Sequence, residues 1–325
     1  MRRLLRLSGL LLGLAASAYF LAFAYRAAAG FDARSLGTLP TVLAIAFASI
    51  AYASVIPTSS WAWGRLLRSI GVPFPTLELN AILGTSQIAK YVPGNVGQHL
   101  GRLAIAVERG VPASAVLLTL LAETLLAVAA ALVVGVLALA IAGRGPAAVT
   151  VGHPKGIAFL ALFLAVLLAG LLPAVRRSLV RQRWLAPYLA AARPAEAGAR
   201  RALGVAFLCY LVNHVVVGLG LCGIAFAAGQ LSPSTVFLFV GAFALSWVAG
   251  FVVPGAPAGL GVREGVLAAL LAPPLEGGAA LRIIVAFRVA TTLGDLVGLA
   301  WGAGLWLAGR AAPARGAVDS GGRRE

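Results

Sequence analysis

Charged residues are scarce in this sequence: only 11% of its 325 positions are Asp, Glu, Lys or Arg, whereas 61% are hydrophobic. About a quarter of the residues in an ordinary soluble domain are charged. Several apolar runs here also exceed the roughly 18 residues that suffice to cross a bilayer. The low charge therefore excludes a typical soluble protein and predicts a polytopic membrane protein.

Acidic residues are fewer still, with 10 Asp and Glu against 26 Lys and Arg, so the formal net charge is +16. Such a balance can indicate a nucleic-acid-binding protein. Here, however, the basic residues lie in short segments between apolar runs, where they act as topology signals. We therefore expect no nucleic-acid partner.

Cysteine and histidine are rare as well. Cys209 and Cys222 share one apolar span, which excludes a disulfide framework and suits no metal site, so we interpret them as small packing residues. The three histidines are scattered, and the sequence contains no P-loop, no H-E-x-x-H and no G-x-S-x-G. We expect no metal, no cofactor and no enzymatic activity.

Long apolar runs are what the sequence has in abundance. Six of them are long enough to span a membrane: residues 8–28, 39–57, 113–142, 156–174, 202–229 and 280–309. Two further apolar regions, 79–107 and 235–272, are interrupted by Pro-Gly and other glycines, so no continuous helix can run through them. The pattern predicts an all-α membrane protein with about six full spans and two broken re-entrant hairpins. A crossing of each broken region as two short helices stays open.

The two interruptions resemble each other. In each, Pro-Gly is followed nine residues after the proline by an arginine: Pro93-Gly94 leads to Arg102, and Pro254-Gly255 leads to Arg263. Repeated broken helices are typical of transporters built from inverted repeats. We predict a single integral membrane domain, residues 1–310, with half-repeats at 39–142 and 202–309, followed by a disordered cytoplasmic tail, 311–325.

The basic loops predict the orientation. Arginines cluster at the N-terminus, at Arg65 and Arg68, in the loop 176–201 and at the C-terminus. Because basic loops stay on the cytoplasmic side, both termini are expected to be cytoplasmic in the cell inner (plasma) membrane. The first broken region would then enter from the cytoplasmic face and the second from the outer face.

Several charged residues lie inside apolar segments, where each costs about 2.5–3.5 kcal/mol on insertion scales unless it is paired or hydrated. We predict an intramembrane charge network of Glu123, Arg288 and Asp295, with Glu264 beside Arg263. The alternative is that these charges pair with one another and only fix helix packing. For Asn213 and His214 we favour hydrogen bonding between helices.

Residues next to the broken backbone are the predicted substrate-binding residues: Lys90, Asn95, Arg102, Arg263 and Glu264. A helix that restarts inside the membrane directs unpaired N–H groups and the positive end of its dipole at whatever fills the gap, which favours an anion. We expect Asn95 to cap the first restarted helix and Pro257 to occupy the first turn of the second. The neighbouring glycines would let the backbone approach a head group closely.

These segments resemble the lysylphosphatidylglycerol synthase transmembrane family, a flippase-like membrane domain. The resemblance is carried by Lys90-Tyr91-Val92-Pro93-Gly94-Asn95, Glu123, Leu260-Gly261-Val262-Arg263-Glu264 and Arg288, and it extends over roughly residues 8–309. It implies movement of an aminoacylated phosphatidylglycerol between leaflets or, for stand-alone relatives, handling of polyprenyl-phosphate-linked sugars beside glycosyltransferases. We expect a stand-alone member without the synthase domain, because the chain ends shortly after its last span.

Three functional hypotheses follow. The leading one is a lipid translocator that binds an anionic, phosphate-bearing lipid. The second is a non-transporting membrane partner that anchors a glycosyltransferase or lipid synthase through the basic loop 176–201. The third is a membrane enzyme acting on a lipid phosphate with Glu123 or Glu264 as general base; no recognisable catalytic constellation supports it.

Overall fold

The computed structural model describes Tyr25 and residues 33–91, 97–143, 196–253, 256–273, 275 and 278–311. In those residues every regular element is helical. The predicted class, an all-α polytopic membrane protein, is confirmed. The predicted span 156–174, all of the predicted span 8–28 except Tyr25, Asn95, both Pro-Gly dipeptides, most of the basic loop and the tail after Ala311 lie outside the described residues.

The described chain forms nine α-helices, joined by loops and by three short 3-10 helices. The α-helices are α1 Leu39–Ala53, α2 Val55–Ser69, α3 Thr76–Ser86, α4 Gly97–Glu108, α5 Ala113–Ile141, α6 Glu196–Ala227, α7 Val236–Val252, α8 Val262–Leu271 and α9 Ala279–Ala311. The 3-10 helices are Ala33–Gly37, Gln87–Tyr91 and Pro257–Gly259.

Four helical stretches are long and apolar enough to cross a membrane: Leu39–Ser69, Ala113–Ile141, Gly198–Ala227 and Ala279–Ala308. They match four of the predicted spans, but the first is longer than the predicted 39–57. The helix continues through the polar run after Pro57, and two hydroxyls of this run are satisfied by carbonyl oxygens of the preceding turn. Thr58 donates to Ser54 at 2.8 Å and Ser60 donates to Ile56 at 2.7 Å.

The first broken region is a helical hairpin, made of α3, the 3-10 helix Gln87–Tyr91 and α4. Its beginning and its end lie together, because Glu78 near the start of α3 pairs with Arg109 just after α4 at 3.5 Å. Arg109 also lies 3.7 Å from the ring of Trp306, near the end of α9. The hairpin therefore enters and leaves at the same end of the helix bundle.

The second broken region, α7 and α8, is a hairpin inserted from the opposite end. Phe239 at the start of α7 and Leu271 at the end of α8 share one buried cluster with Leu221 of α6 and Ile283 at the start of α9. The open end of the first hairpin belongs to a different cluster, which includes Leu79 and Trp306. Insertion from opposite ends is the arrangement that the predicted inverted repeat requires.

Each hairpin packs on the last long helix of the other half. Helix α3 contacts α9, and a Cβ on Gly84 would lie 2.5 Å from the carbonyl oxygen of Gly298. Helix α7 contacts α5, and a Cβ on Gly241 would lie 3.1 Å from the carbonyl oxygen of Gly135. Small residues allow such close approach, which drives helix association in lipid. This exchange brings the 3-10 helices Gln87–Tyr91 and Pro257–Gly259 into contact with each other. The inverted repeat and its half-repeats, 39–142 and 202–309, stay a prediction.

Candidate functional site

A cavity of about 180 Å³ lies where the two broken hairpins meet. One water needs about 10–15 Å³ by the same measure, so the space accommodates a phosphate group together with several waters. Five of the charged residues predicted from the sequence line it: Lys90, Arg102, Glu123, Arg263 and Asp295. Residues far apart in the chain thus meet at one site inside the bundle.

Arg102 and Glu123 form a buried ion pair on one part of the cavity wall. Arg102 Nη2 lies 2.5 Å from Glu123 Oε2, and the Tyr210 hydroxyl donates a hydrogen bond to Glu123 Oε1 at 2.6 Å. The Arg102 guanidinium also lies 3.7 Å from the centre of the Trp63 ring. The Nε of Arg102 has no hydrogen-bond acceptor in the described part of the chain.

Lys90 and Asp295 form a second buried pair, which joins the two halves of the chain. Lys90 Nζ lies 2.5 Å from Asp295 Oδ1 and donates a further hydrogen bond to the Tyr52 hydroxyl at 3.0 Å. The Tyr91 hydroxyl donates to the other oxygen of Asp295 at 2.8 Å. Both carboxylate oxygens of Asp295 are therefore engaged, and the charge of Lys90 is compensated.

Arg263 is in a different situation. It is the second residue of α8 and borders the cavity, and in the described part of the chain no carboxylate lies within ion-pair distance of it. Its Nε is buried without a hydrogen-bond partner among those residues. A buried unsatisfied polar group is costly, and more so when it is charged. Arg263 therefore brings an uncompensated positive charge to the cavity.

Glycines hold the Arg263 side chain in place. A Cβ on Gly250 of α7 would lie 2.5 Å from Arg263 Cγ, and a Cβ on Gly259 would lie 2.8 Å from Arg263 Nε. The chain before α8 is tightly folded, with Ala258 and Gly259 both in the left-handed region at φ of 50° and 70°. The glycine-rich motif thus makes room for the arginine, whereas the sequence suggested that it makes room for a head group.

Glu264 and Arg288 lie outside the cavity wall and pair with each other. Glu264 Oε1 accepts a hydrogen bond from Arg288 at 3.1 Å, and its Oε2 accepts one from the backbone N–H of Gly261 at 2.7 Å. The predicted association of Arg288 with Asp295 and Glu123 is therefore not formed. The described residues contain three separate pairs in its place, because each side chain reaches a partner on a neighbouring element.

The start of the second restarted helix also differs from the prediction. Helix α8 begins at Val262, whereas Pro257 opens the short 3-10 helix Pro257–Gly259. The left-handed backbone at Gly259 and Gly261 prevents the two from joining into one helix. Glu264 then satisfies the N–H of Gly261, which the sequence had left for a ligand.

An aromatic wall, defined by His99, His214, Trp247 and Phe251, borders the same cavity and was missed from the sequence. Trp247 and Phe251 stack with their centroids 5.2 Å apart at an interplanar angle of 6°. The His214 ring meets Trp247 edge-on at 4.9 Å, and His99 meets Phe251 edge-on at 6.3 Å. Tryptophan and phenylalanine are common in apolar helices, so the sequence does not predict that these rings line a cavity. Only their position in the fold shows it.

Hydrogen bonds of Asn213 and His214 on α6 support the cavity. Asn213 donates to the Ser59 hydroxyl of α2 at 3.2 Å, whereas His214 Nδ1 donates to the carbonyl oxygen of Tyr210 in the same helix at 2.7 Å. The hydrogen bonding between helices that was predicted for both residues is therefore formed by Asn213, while His214 bonds within α6. A sequence signal for Tyr52 and Tyr210 existed: tyrosines are enriched at membrane interfaces, so a tyrosine in mid-span indicates a polar neighbour.

The described residues hold no group of three or more His, Cys, Asp or Glu side chains placed to bind a metal ion. Cys209 and Cys222 are free and buried. Cys222 packs in the cluster around Leu221, and Cys209 packs in a separate cluster beside Tyr210. Both therefore act as the small packing residues that were predicted.

Comparison with protein families gives one match. The family model described as "Lysylphosphatidylglycerol synthase TM region" matches residues 10–298 of the chain. Comparison with individual curated proteins finds no significant match. The matched range includes every charged residue that lines the cavity.

Proposed function

Since the chain belongs to the lysylphosphatidylglycerol synthase transmembrane family, whose name indicates a role connected with membrane lipids, we propose that it is a lipid translocator. Its substrate is an anionic lipid with a phosphate in the head group. The phosphate occupies the central cavity, while the acyl or prenyl tails stay in the surrounding lipid.

The uncompensated charge of Arg263 is the observation that carries this proposal. Lys90 and Arg102 each stabilise the fold through an ion pair. Arg263 borders the cavity and has no acidic partner among the described residues, so its charge makes no such ion pair. Arginine presents N–H groups in a planar fork that matches phosphate oxygens. A bound phosphate would supply the missing acceptor.

Arg102 is the second binding residue of the proposed site. Its Nε has no hydrogen-bond acceptor in the described part of the chain, although Glu123 neutralises its charge. When Arg102 binds the phosphate, Glu123 keeps the hydrogen bond that the Tyr210 hydroxyl donates to it. We leave Glu264 out of the site, since both of its carboxylate oxygens are engaged elsewhere.

The position of the site fits alternating access. The two hairpins enter from opposite ends and residues of both line the cavity, so a small displacement of either hairpin would open the cavity to one face. Transporters with broken helices commonly bind substrate at such a midpoint. The protein would act at the inner (plasma) membrane with both termini cytoplasmic.

Leaflet exchange in proteoliposomes tests the proposal. Acyl-labelled phosphatidylglycerol is reconstituted with wild type, with Arg263→Gln and with Arg68→Gln, the same change at an exposed arginine at the end of α2. We expect Arg263→Gln to slow exchange about tenfold or more, because a hydrogen bond to a charged group contributes about 1.5–3 kcal/mol. Arg68→Gln should exchange at the wild-type rate.

Monodisperse Arg263→Gln protein with wild-type exchange would overturn the assignment of the site. Absence of exchange by folded wild type, for phosphatidylglycerol and for a short polyprenyl phosphate, would overturn the translocator itself. The hypothesis of a non-transporting partner would then gain support.

A further inference from the structure

The charges on the cavity wall do not cancel. Three cations line it, Lys90, Arg102 and Arg263, against two carboxylates, Glu123 and Asp295. Counting these five side chains, one positive charge is in excess on the described wall. It belongs to Arg263, because Lys90 and Arg102 are each paired with a carboxylate.

The rest of the described wall offers no free carboxylate to a second positive charge. The stacked rings of Trp247 and Phe251 give the cavity an apolar face. Both carboxylates on the wall are already engaged: Glu123 by Arg102 and Tyr210, and Asp295 by Lys90 and Tyr91. A cationic head group would have to break one of these pairs inside the bundle, where an unpaired charge is expensive.

From this arrangement we infer that the cavity selects a lipid with a singly charged phosphodiester and an otherwise uncharged, hydroxyl-bearing head group, such as glycerol or a sugar. The inference rests on the proposed function for the identity of the ligand as a lipid. The phosphodiester balances Arg263. The C–H face of the uncharged group lies against the Trp247–Phe251 stack, and its hydroxyls replace cavity water. An aminoacylated phosphatidylglycerol, which adds an ammonium group, is disfavoured.

Binding in detergent tests this selectivity without requiring transport. Purified protein is titrated with phosphatidylglycerol, phosphatidylethanolamine, lysyl-phosphatidylglycerol and phosphatidic acid, and the rise in unfolding temperature gives an apparent affinity for each. We expect phosphatidylglycerol to bind about tenfold more tightly than phosphatidylethanolamine or the lysyl ester. Arg263→Gln should remove the preference for phosphatidylglycerol over phosphatidylethanolamine.

A charge variant makes the test sharper. Glu123→Gln keeps the shape of the side chain and an acceptor for Tyr210, and it raises the excess positive charge by one. We expect this variant to shift its preference from phosphatidylglycerol toward phosphatidic acid, which carries a more highly charged phosphomonoester. Arg68→Gln, outside the cavity, should leave the order of affinities unchanged.

The outcomes separate this inference from the proposed function. Equal or tighter binding of the lysyl ester, no selectivity among the four lipids, or an unchanged order in Glu123→Gln overturns the inference. Selective binding of phosphatidylglycerol without leaflet exchange supports the inference and overturns the translocator. Exchange in proteoliposomes without selective binding supports the translocator and overturns the inference.

Discussion

Lys90 and Asp295 connect the two halves of the chain at the cavity, with Lys90 Nζ 2.5 Å from Asp295 Oδ1. Lys90 lies on the 3-10 helix that precedes the first break, and Asp295 lies in the middle of α9. Tyr52 and Tyr91 complete the group through hydrogen bonds to Lys90 and Asp295. The pair joins the first hairpin to the helix on which it packs.

The first prediction concerns this pair. Asp295→Asn leaves the charge of Lys90 buried without its partner, and we expect it to lower the free energy of unfolding by about 3–5 kcal/mol. Adding Lys90→Met removes that charge and should recover much of the loss. Thermal unfolding of the purified proteins in detergent measures both. Strictly additive effects of the two substitutions would show that the pair is not coupled.

The second prediction concerns the close contact of α3 and α9. A Cβ on Gly302 would lie 2.9 Å from the backbone nitrogen of Thr85 and 3.0 Å from Gly84 Cα. Gly302→Ala should therefore destabilise the protein by about 1–3 kcal/mol, the usual cost of overpacking. Gly304→Ala on the same helix meets nothing within 4 Å and is the matched control. Equal unfolding temperatures for the two variants would contradict the packing of these helices.

The third prediction separates the position of Arg263 from its charge. Gly250→Ala would place a Cβ 2.5 Å from Arg263 Cγ, so the arginine must move while its charge stays. We expect the rate of leaflet exchange in Gly250→Ala to lie between the wild-type rate and the rate of Arg263→Gln. The unfolding temperature should change little. Gly101→Ala is the control, since its Cβ would make only an ordinary contact of 3.7 Å with Ser86. A normal exchange rate in Gly250→Ala would show that the arginine needs no fixed position.

The fourth prediction tests the orientation. Arg68 and Ser234 are exposed at opposite ends of the bundle, at the end of α2 and just before α7. In a background with Cys209 and Cys222 replaced by alanine, Arg68→Cys should react with an impermeant maleimide only from the cytoplasmic side. Ser234→Cys should react only from the outer side. The reverse pattern in intact cells and inverted vesicles would show that the basic loops do not set the topology.

Much of the site could be predicted from the sequence, because a charged residue in an apolar segment costs free energy and is easily recognised there. Lys90, Arg102, Glu123, Arg263 and Asp295 were singled out in this way, and all five line one cavity. Their partners were not predictable. Arg288 and Asp295 lie on one helix two turns apart, yet each pairs with a residue of a different element, Glu264 and Lys90. Such pairs depend on which helices are neighbours.

The sequence alone determined that the chain is helical and crosses a membrane, where its helices are interrupted, and which side chains need compensation. These properties follow from local composition, because a charge in an apolar segment needs a partner or water wherever that partner lies, and Pro-Gly interrupts a helix whatever surrounds it. Tertiary structure alone decided that each hairpin packs on the other half and that Arg263 is the lining cation without an acidic partner among the described residues. Those outcomes depend on close backbone contacts at glycines such as Gly84 and Gly241, and the fit between two surfaces cannot be read from either one separately.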